Sequence, residues 1–160
     1  MSLRVAVLGV GHFGRFHALK AAKGGRLRLV GVHDADPGRA AAVAAECGVS
    51  AMTAEEAIGA AEAVIVAAPT RFHHALGMAA LEAGRHLLVE KPIAGTLAEA
   101  EELAAAAASR GLVLQVGHIE RFSAAFRAVM AAPRDGAIHW EAVRAAPFRP
   151  RSLDVSVVLD

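Results

Sequence analysis

Residues 3–14 read Leu3-Arg4-Val5-Ala6-Val7-Leu8-Gly9-Val10-Gly11-His12-Phe13-Gly14, and the reading of this stretch decides the fold. Its first half is apolar and partly β-branched, which suits a buried parallel strand. Gly9, Gly11 and Gly14 follow in G-x-G-x-x-G spacing, and a helical pattern begins directly after them. Gly9 permits a sharp turn, Gly11 permits close approach of bare backbone to a pyrophosphate, and Gly14 permits the helix to pack on the strand. The new helix would aim its unpaired N–H groups and positive dipole end at the phosphates.

With 15 glycines in 160 residues, this spacing alone is equally served by a glycine-rich turn that holds no ligand. Context separates the two. A second apolar run, residues 27–32, ends at His33-Asp34, which places Asp34 about twenty positions past Gly14, where a carboxylate at a strand tip meets a ribose diol. Strand, glycines, helix, strand and acid together predict a dinucleotide site with Gly9, Gly11, His12, Phe13, Gly14 and Asp34 at its contacts. Asp34 favours NAD, because a carboxylate repels the 2′-phosphate of NADP, although NADP remains possible.

Composition narrows the class. The 55% apolar content is rich in alanine, which favours helices but fills little volume. A net charge of +1 makes no electrostatic case for nucleic acid or an anionic membrane. Cys47 is the only cysteine, so no intrachain disulfide or CxxC metal site is expected, and a reducing cytoplasm fits. No apolar run approaches the ~18 residues of a membrane span, and the N-terminus has no h-region of a signal peptide.

Along the chain, a first helix is expected over residues 13–23, ended by Gly24-Gly25. Asp36-Pro37 reads as an N-cap with proline at the first helical position, opening a helix that stops at Gly48. Residues 49–52 suit a short third strand, and Thr53 with Glu56 forms a capping box. Residues 63–67 are a fourth strand. Residues 71–83 are expected to be helical, with Phe72, Leu76, Ala79, Ala80 and Ala83 inward. Residues 86–90 are a fifth strand. Thr96 and Glu99 form a second capping box, on a helix carrying Leu97, Leu103 and Ala107 inward, and residues 112–117 are a sixth strand. This alternation predicts an α/β doubly wound parallel sheet, the Rossmann arrangement, over residues 1–118.

Past Gly117 the alternation stops. A helix is expected over residues 123–131, ended by Pro133, then a turn at Asp135-Gly136 and a strand over residues 137–145. Residues 119–160 read as the start of a second, α+β domain, incomplete because about forty residues make a poor independent core.

Ligands of doubly wound sheets bind outside the carboxyl ends of the strands. Those ends carry the glycine loop, Asp34, Ala68-Pro69-Thr70, Glu90-Lys91-Pro92 and Gly117-His118. Lys91 is one of three lysines, with Lys20 and Lys23, and directly follows a buried strand. A lysine there can hydrogen-bond a substrate hydroxyl or carbonyl and tune its proton transfer; the competing reading is an exposed loop lysine.

Gly9-Val10-Gly11-His12-Phe13-Gly14, Asp34, Ala68-Pro69-Thr70 with His73, and Glu90-Lys91-Pro92 together resemble the Gfo/Idh/MocA oxidoreductases, over essentially the whole chain. The resemblance implies a Rossmann domain followed by an α/β domain with a large, mostly antiparallel sheet. It also implies reversible hydride transfer between NAD(P) and a sugar, cyclitol or similar alcohol carbon. Ala68, Pro69, Thr70, His73, Glu90 and Lys91 would then join the cofactor site, with Lys91 also catalytic and touching substrate. Residues 116–122, Val-Gly-His-Ile-Glu-Arg-Phe, resemble the subgroup acting on UDP-N-acetyl sugars, which implies a nucleotide-sugar substrate near His118 and Arg121. That subgroup usually continues Asn-Pro where this chain has Ser123-Ala124. The family's second domain normally supplies a catalytic histidine in a His-Asp element and often makes homo-oligomers through its sheet. Residues 154–160 resemble the lead-in to that element, which itself is absent.

Other features have plainer readings. His118-x-Glu120 lacks the Pro-Cys-x-x-Cys of zinc deaminases, and His73-His74 lacks the i, i+4 spacing of two metal ligands on one helix face, so no metal site is expected. Arg121 suits either a substrate diphosphate or solvent. Arg39 suits the adenosine end or, as the plainer reading, a solvated helix face, and with His33 it could offset part of the repulsion by contacting a 2′-phosphate. The competing function is a non-catalytic dinucleotide-binding module, favoured by the missing histidine and disfavoured by Glu90-Lys91-Pro92.

Overall fold

The computed structural model describes residues 1–131. Six strands, β1 (Leu3–Leu8), β2 (Leu27–His33), β3 (Ser50–Ala51), β4 (Ala63–Val66), β5 (His86–Val89) and β6 (Leu114–Val116), form one sheet in the order β3-β2-β1-β4-β5-β6. Every pairing is parallel, and β1 is central, between β2 and β4. Strand order reverses direction between β1 and β4, which opens a crevice at their carboxyl ends. The expected turn at Asp135-Gly136, the strand over 137–145 and the closing residues 154–160 lie outside the described residues.

The helices are α1 (His12–Ala22), α2 (Pro37–Cys47), α3 (Ala54–Ala60), α4 (His73–Glu82), α5 (Leu97–Ser109) and α6 (Ala124–Ala131). Alternation along each strand divides the core into two layers. Val5 and Val7 pack with Leu29, Val32 and Ile65 against Ala18 and Ala21 of α1 and Val43 and Ala44 of α2. Ala6 and Leu8 join Val64, Val66, Leu87 and Val89 against α3, α4 and α5 on the opposite face. Small alanines on the helices let them lie close to the sheet, and the branched strand residues fill the volume.

Local chemistry sets the boundaries. The Asp36 side chain accepts from the Arg39 N–H at 3.1 Å, Pro37 follows, and Gly48 ends α2 at φ +66°, a left-handed cap. Thr53 and Glu56 make the expected capping box on α3, as do Thr96 and Glu99 on α5. Replacing Thr53 by Ala removes a side-chain acceptor at the helix start and costs about 1 kcal/mol, read as a lower urea midpoint with unchanged slope.

Three expectations about faces and bounds are corrected. The third strand is only Ser50–Ala51, an edge pair on β2. The helix expected from residue 71 begins instead with a 3-10 turn, Thr70–Phe72, which throws Phe72 out of phase with α4. The buried face of α4 is therefore His73, Gly77, Ala80 and Leu81, while Phe72, Ala79 and Ala83 are exposed. On α5, Leu103, Ala106 and Ala107 are buried, but Leu97 is 75% exposed. Six residues are about 1.7 turns, so Leu97 lies roughly 120° around the helix from Leu103.

Candidate functional site

The sharp turn after β1 is built as its sequence requires. Gly9 has φ +84°, and a Cβ there would lie 2.5 Å from the Ala68 backbone nitrogen. Gly14 is buried against the same turn: a Cβ on it would lie 1.8 Å from the Gly9 carbonyl oxygen. Gly11 is the opposite case, with nothing within 4 Å of an added Cβ. Gly11 is also the N-cap of α1 and brings no side-chain cap, so the first-turn N–H groups of the helix have no partner from it. They stand directly after the carboxyl end of β1, where an anion site of this kind lies.

A groove of about 880 Å³ runs over this point, lined by Gly9, Gly11, His12, Phe13, Asp34, Ala68 and Pro69 among the expected residues. It sits at the carboxyl ends of β1, β2 and β4, in the crevice where strand order reverses. Its volume, its bare glycine wall and an acid at one end fit a dinucleotide. Sequence reasoning did not name the far wall, which includes Arg71, Phe72, Ala75 and Leu76. The signal that could have found them is position: one helical turn immediately after the carboxyl end of β4. Exposure of Phe72 now has a reason, since its ring carries the Arg71 guanidinium 4.8 Å from its centroid at the groove edge.

Asp34 does more than wait for a ribose. Its side chain is 7% exposed, and Oδ2 accepts the Val10 N–H at 2.8 Å. Oδ1 accepts the Asp36 N–H at 2.9 Å, so the carboxylate ties the tip of β2 to the glycine loop. Arg39 also reaches Asp34, 3.2 Å from Oδ1, and Asp36 at 3.3 Å. Both readings of Arg39 are met in part: its side chain is half exposed, yet it lines the groove and neutralises part of the acid's charge.

The remaining candidates lie beyond the groove. His73 is 1% exposed, with Nδ1 2.8 Å from the Pro92 carbonyl and Nε2 2.8 Å from the Ala68 carbonyl. It stands behind the loops and joins them, and it does not line the groove. Thr70 is buried at the start of the 3-10 turn. Glu90 and Lys91 follow β5, and the Lys91 N–H donates to Glu90 Oε2 at 3.2 Å. His118 and Arg121 are exposed after β6, at the start and within the 3-10 turn Ile119–Phe122. Lys91, His118 and Arg121 thus share the ligand end of the sheet with the groove. Among the described residues no cluster of three potential metal ligands occurs, and no helix is long and apolar enough to cross a membrane.

Residues 3–118 match the model of an oxidoreductase family with an NAD-binding Rossmann fold. The chain belongs to the Gfo/Idh/MocA family. Over 159 residues, 99% of the chain, it is 43% identical to the UDP-N-acetylglucosamine 3-dehydrogenase of Acidithiobacillus ferrooxidans. A solved structure of that enzyme superposes over the whole chain with a TM-score of 0.89 at 41% identity, using 52% of its own length. Inositol 2-dehydrogenase 1 of Saccharopolyspora erythraea is 40% identical over 134 residues, 79% of this chain and 40% of that one. GenD2 from gentamicin A biosynthesis, solved in complex with NAD, matches 83% of the chain and 40% of its own at a TM-score of 0.78 and 34% identity. The chain spans 50% of the length of the Acidithiobacillus enzyme. The matched family has an NAD-binding Rossmann fold, so the cofactor is a nicotinamide dinucleotide.

Proposed function

We propose that this chain is the cofactor-binding part of an NAD-dependent dehydrogenase acting on a secondary alcohol carbon of a UDP-N-acetyl hexosamine. The observation that carries this is a lysine at the end of β5 beside a dinucleotide groove, in a chain 43% identical to a UDP-N-acetylglucosamine 3-dehydrogenase. The pyrophosphate lies on the backbone of Gly11, His12 and Phe13, and Asp34 receives the ribose diol. Ala68 and Pro69 line the opposite wall, and Glu90 stands at the nicotinamide end. NAD, when bound, supplies the hydride acceptor for the carbinol carbon. Lys91 hydrogen-bonds the substrate oxygen and relays its hydroxyl proton as the C–O bond becomes a carbonyl. Arg121, with a planar fork suited to diphosphate, and His118 hold the nucleotide sugar at the end of β6. In the complete enzyme the protein is cytoplasmic and assembles as a homo-oligomer. The test is NADH formation from a panel of UDP-sugars, UDP-N-acetylglucosamine included, and from myo-inositol. Turnover of inositol with no response to any UDP-sugar refutes the substrate assignment.

Cofactor choice follows from Asp34. At about 4 Å and an effective dielectric near 20, a carboxylate opposes the 2′-phosphate by about 4 kcal/mol before screening. Solvent and Arg39 reduce this to about 1–3 kcal/mol, a preference for NAD of roughly tenfold to a hundredfold. Asp34→Ser shrinks the preference mainly by weakening NAD. Because Asp34 also holds the Val10 N–H, NADP does not gain all that the removed repulsion offers. Dissociation constants for both cofactors, wild type against Asp34→Ser, decide it: equal wild-type affinities contradict the placement of Asp34.

A further inference from the structure

The Glu90 carboxylate, directly after β5, meets a side chain of α1, the backbone of its own turn and the turn after β6. His17, on α1 one turn past the glycine motif, places Nε2 2.6 Å from Glu90 Oε1. The two side chains are 23% and 14% exposed, so the pair is largely shielded from water. The other carboxylate oxygen accepts the Lys91 N–H at 3.2 Å. Gly117, directly after β6, completes the enclosure: a Cβ there would lie 2.7 Å from Glu90 Oε2. Burial alone would raise the Glu90 carboxyl, but the His17 hydrogen bond, the Lys91 N–H and the charges of both hold it below the usual carboxylate range.

These contacts form a path from the helix that receives the pyrophosphate to the lysine that meets the substrate. His17 does not line the groove; it acts on what the Lys91 backbone is fastened to. We propose that His17 is a positioning residue, which holds Glu90 and through it the Lys91 backbone, so that α1 and the lysine turn keep one relative placement. This rests on the proton-relay reading of Lys91 given above. Without His17, the Glu90 carboxylate is left partly buried with one hydrogen bond fewer, and it turns toward water or toward the Lys91 ammonium. Either movement misplaces the lysine while the glycine loop and Asp34, which seat the pyrophosphate and adenosine, stay in place.

The test is a double-mutant cycle in turnover-competent protein, with NADH affinity read in parallel by fluorescence. His17→Ala is expected to lower kcat about tenfold, the scale of one lost hydrogen bond to a charged group, with NADH affinity within about threefold of wild type. His17→Gln, whose amide nitrogen reaches the same carboxylate oxygen, restores most of kcat. In a Lys91→Ala background, His17→Ala has almost no further effect on kcat, because the two act as one unit. If Lys91→Ala is slow but His17→Ala multiplies the loss in full, the coupling through Glu90 is overturned while the role of Lys91 stands. If Lys91→Ala turns over normally, the lysine reading falls and this inference with it. Should His17→Ala not fold, Glu90→Gln takes its place and must show the same loss and the same absence of effect on Lys91→Ala.

Discussion

Lys91→Ala lowers turnover by about 10²-fold or more, the scale of a lost acid–base group, and leaves NADH affinity nearly unchanged. The separation of the two effects follows from where the residue stands. Lys91 follows β5, two strands from β1, and does not line the groove that holds Gly9, Gly11 and Asp34. In the role proposed for it, its side chain serves the reacting oxygen and is dispensable for seating the adenosine and pyrophosphate. Lys91→Arg keeps the charge but replaces a compact ammonium by a wider fork that cannot give up its proton, and it recovers little of the rate. The assay is steady-state NADH formation with fluorescence titration of the cofactor on the same samples. Unaltered turnover in Lys91→Ala removes the lysine from the chemistry.

Gly14→Ala has the largest expected effect on the fold and on cofactor binding together. The added methyl would lie 1.8 Å from the Gly9 carbonyl oxygen and 2.8 Å from the Gly9 carbonyl carbon. Both atoms are backbone of a turn that is itself pressed against Ala68, so no side chain can swing away. Either α1 lifts from β1 or the turn opens. Overpacking of this kind costs about 1–3 kcal/mol and more where backbone must move. The displaced α1 N-terminus also loses its aim, so NAD affinity falls by about 10²-fold or beyond. Gly11→Ala is the control, since its methyl meets nothing within 4 Å. It leaves the urea midpoint of unfolding near wild type and weakens NAD, because the proposed cofactor placement puts the pyrophosphate in the open space it fills. A Gly14→Ala protein with wild-type stability and affinity contradicts the packing described for this turn.

The parts of this molecule that could be read from residues alone are those fixed by local chemistry. Apolar runs of residues 3–8, 27–32, 63–67 and 86–90 are strands because few other states bury so many branched side chains in so few positions. Asp36-Pro37, Thr53 with Glu56 and Thr96 with Glu99 start helices because their side chains satisfy N–H groups that would otherwise be left over. Faces of the alanine-rich helices were harder. When most positions are alanine, hydrophobic periodicity is nearly flat, and it points Leu97 and Phe72 inward where the structure exposes both. The groove's glycine wall and acid were legible from spacing. Its far wall of Arg71, Phe72, Ala75 and Leu76 was not, because those residues converge only through the β4 crossover. The double duty of Asp34 and the engagement of Arg39 depend on the β2 tip folding back to Val10, which no spacing rule records.

The imidazole of His73 has a consequence for how this scaffold can be rebuilt. It is sealed from water and bridges the carbonyls of Ala68 and Pro92, one from the turn after β4 and one from the turn after β5. These turns are neighbours in space but about two dozen residues apart in sequence, and the ring makes them one mechanical part. A chimaera that grafts only the Glu90-Lys91-Pro92 turn from another member of the family, or only the Ala68-Pro69-Thr70 turn, inherits half of a joint. The smallest transferable module is both turns with His73 between them.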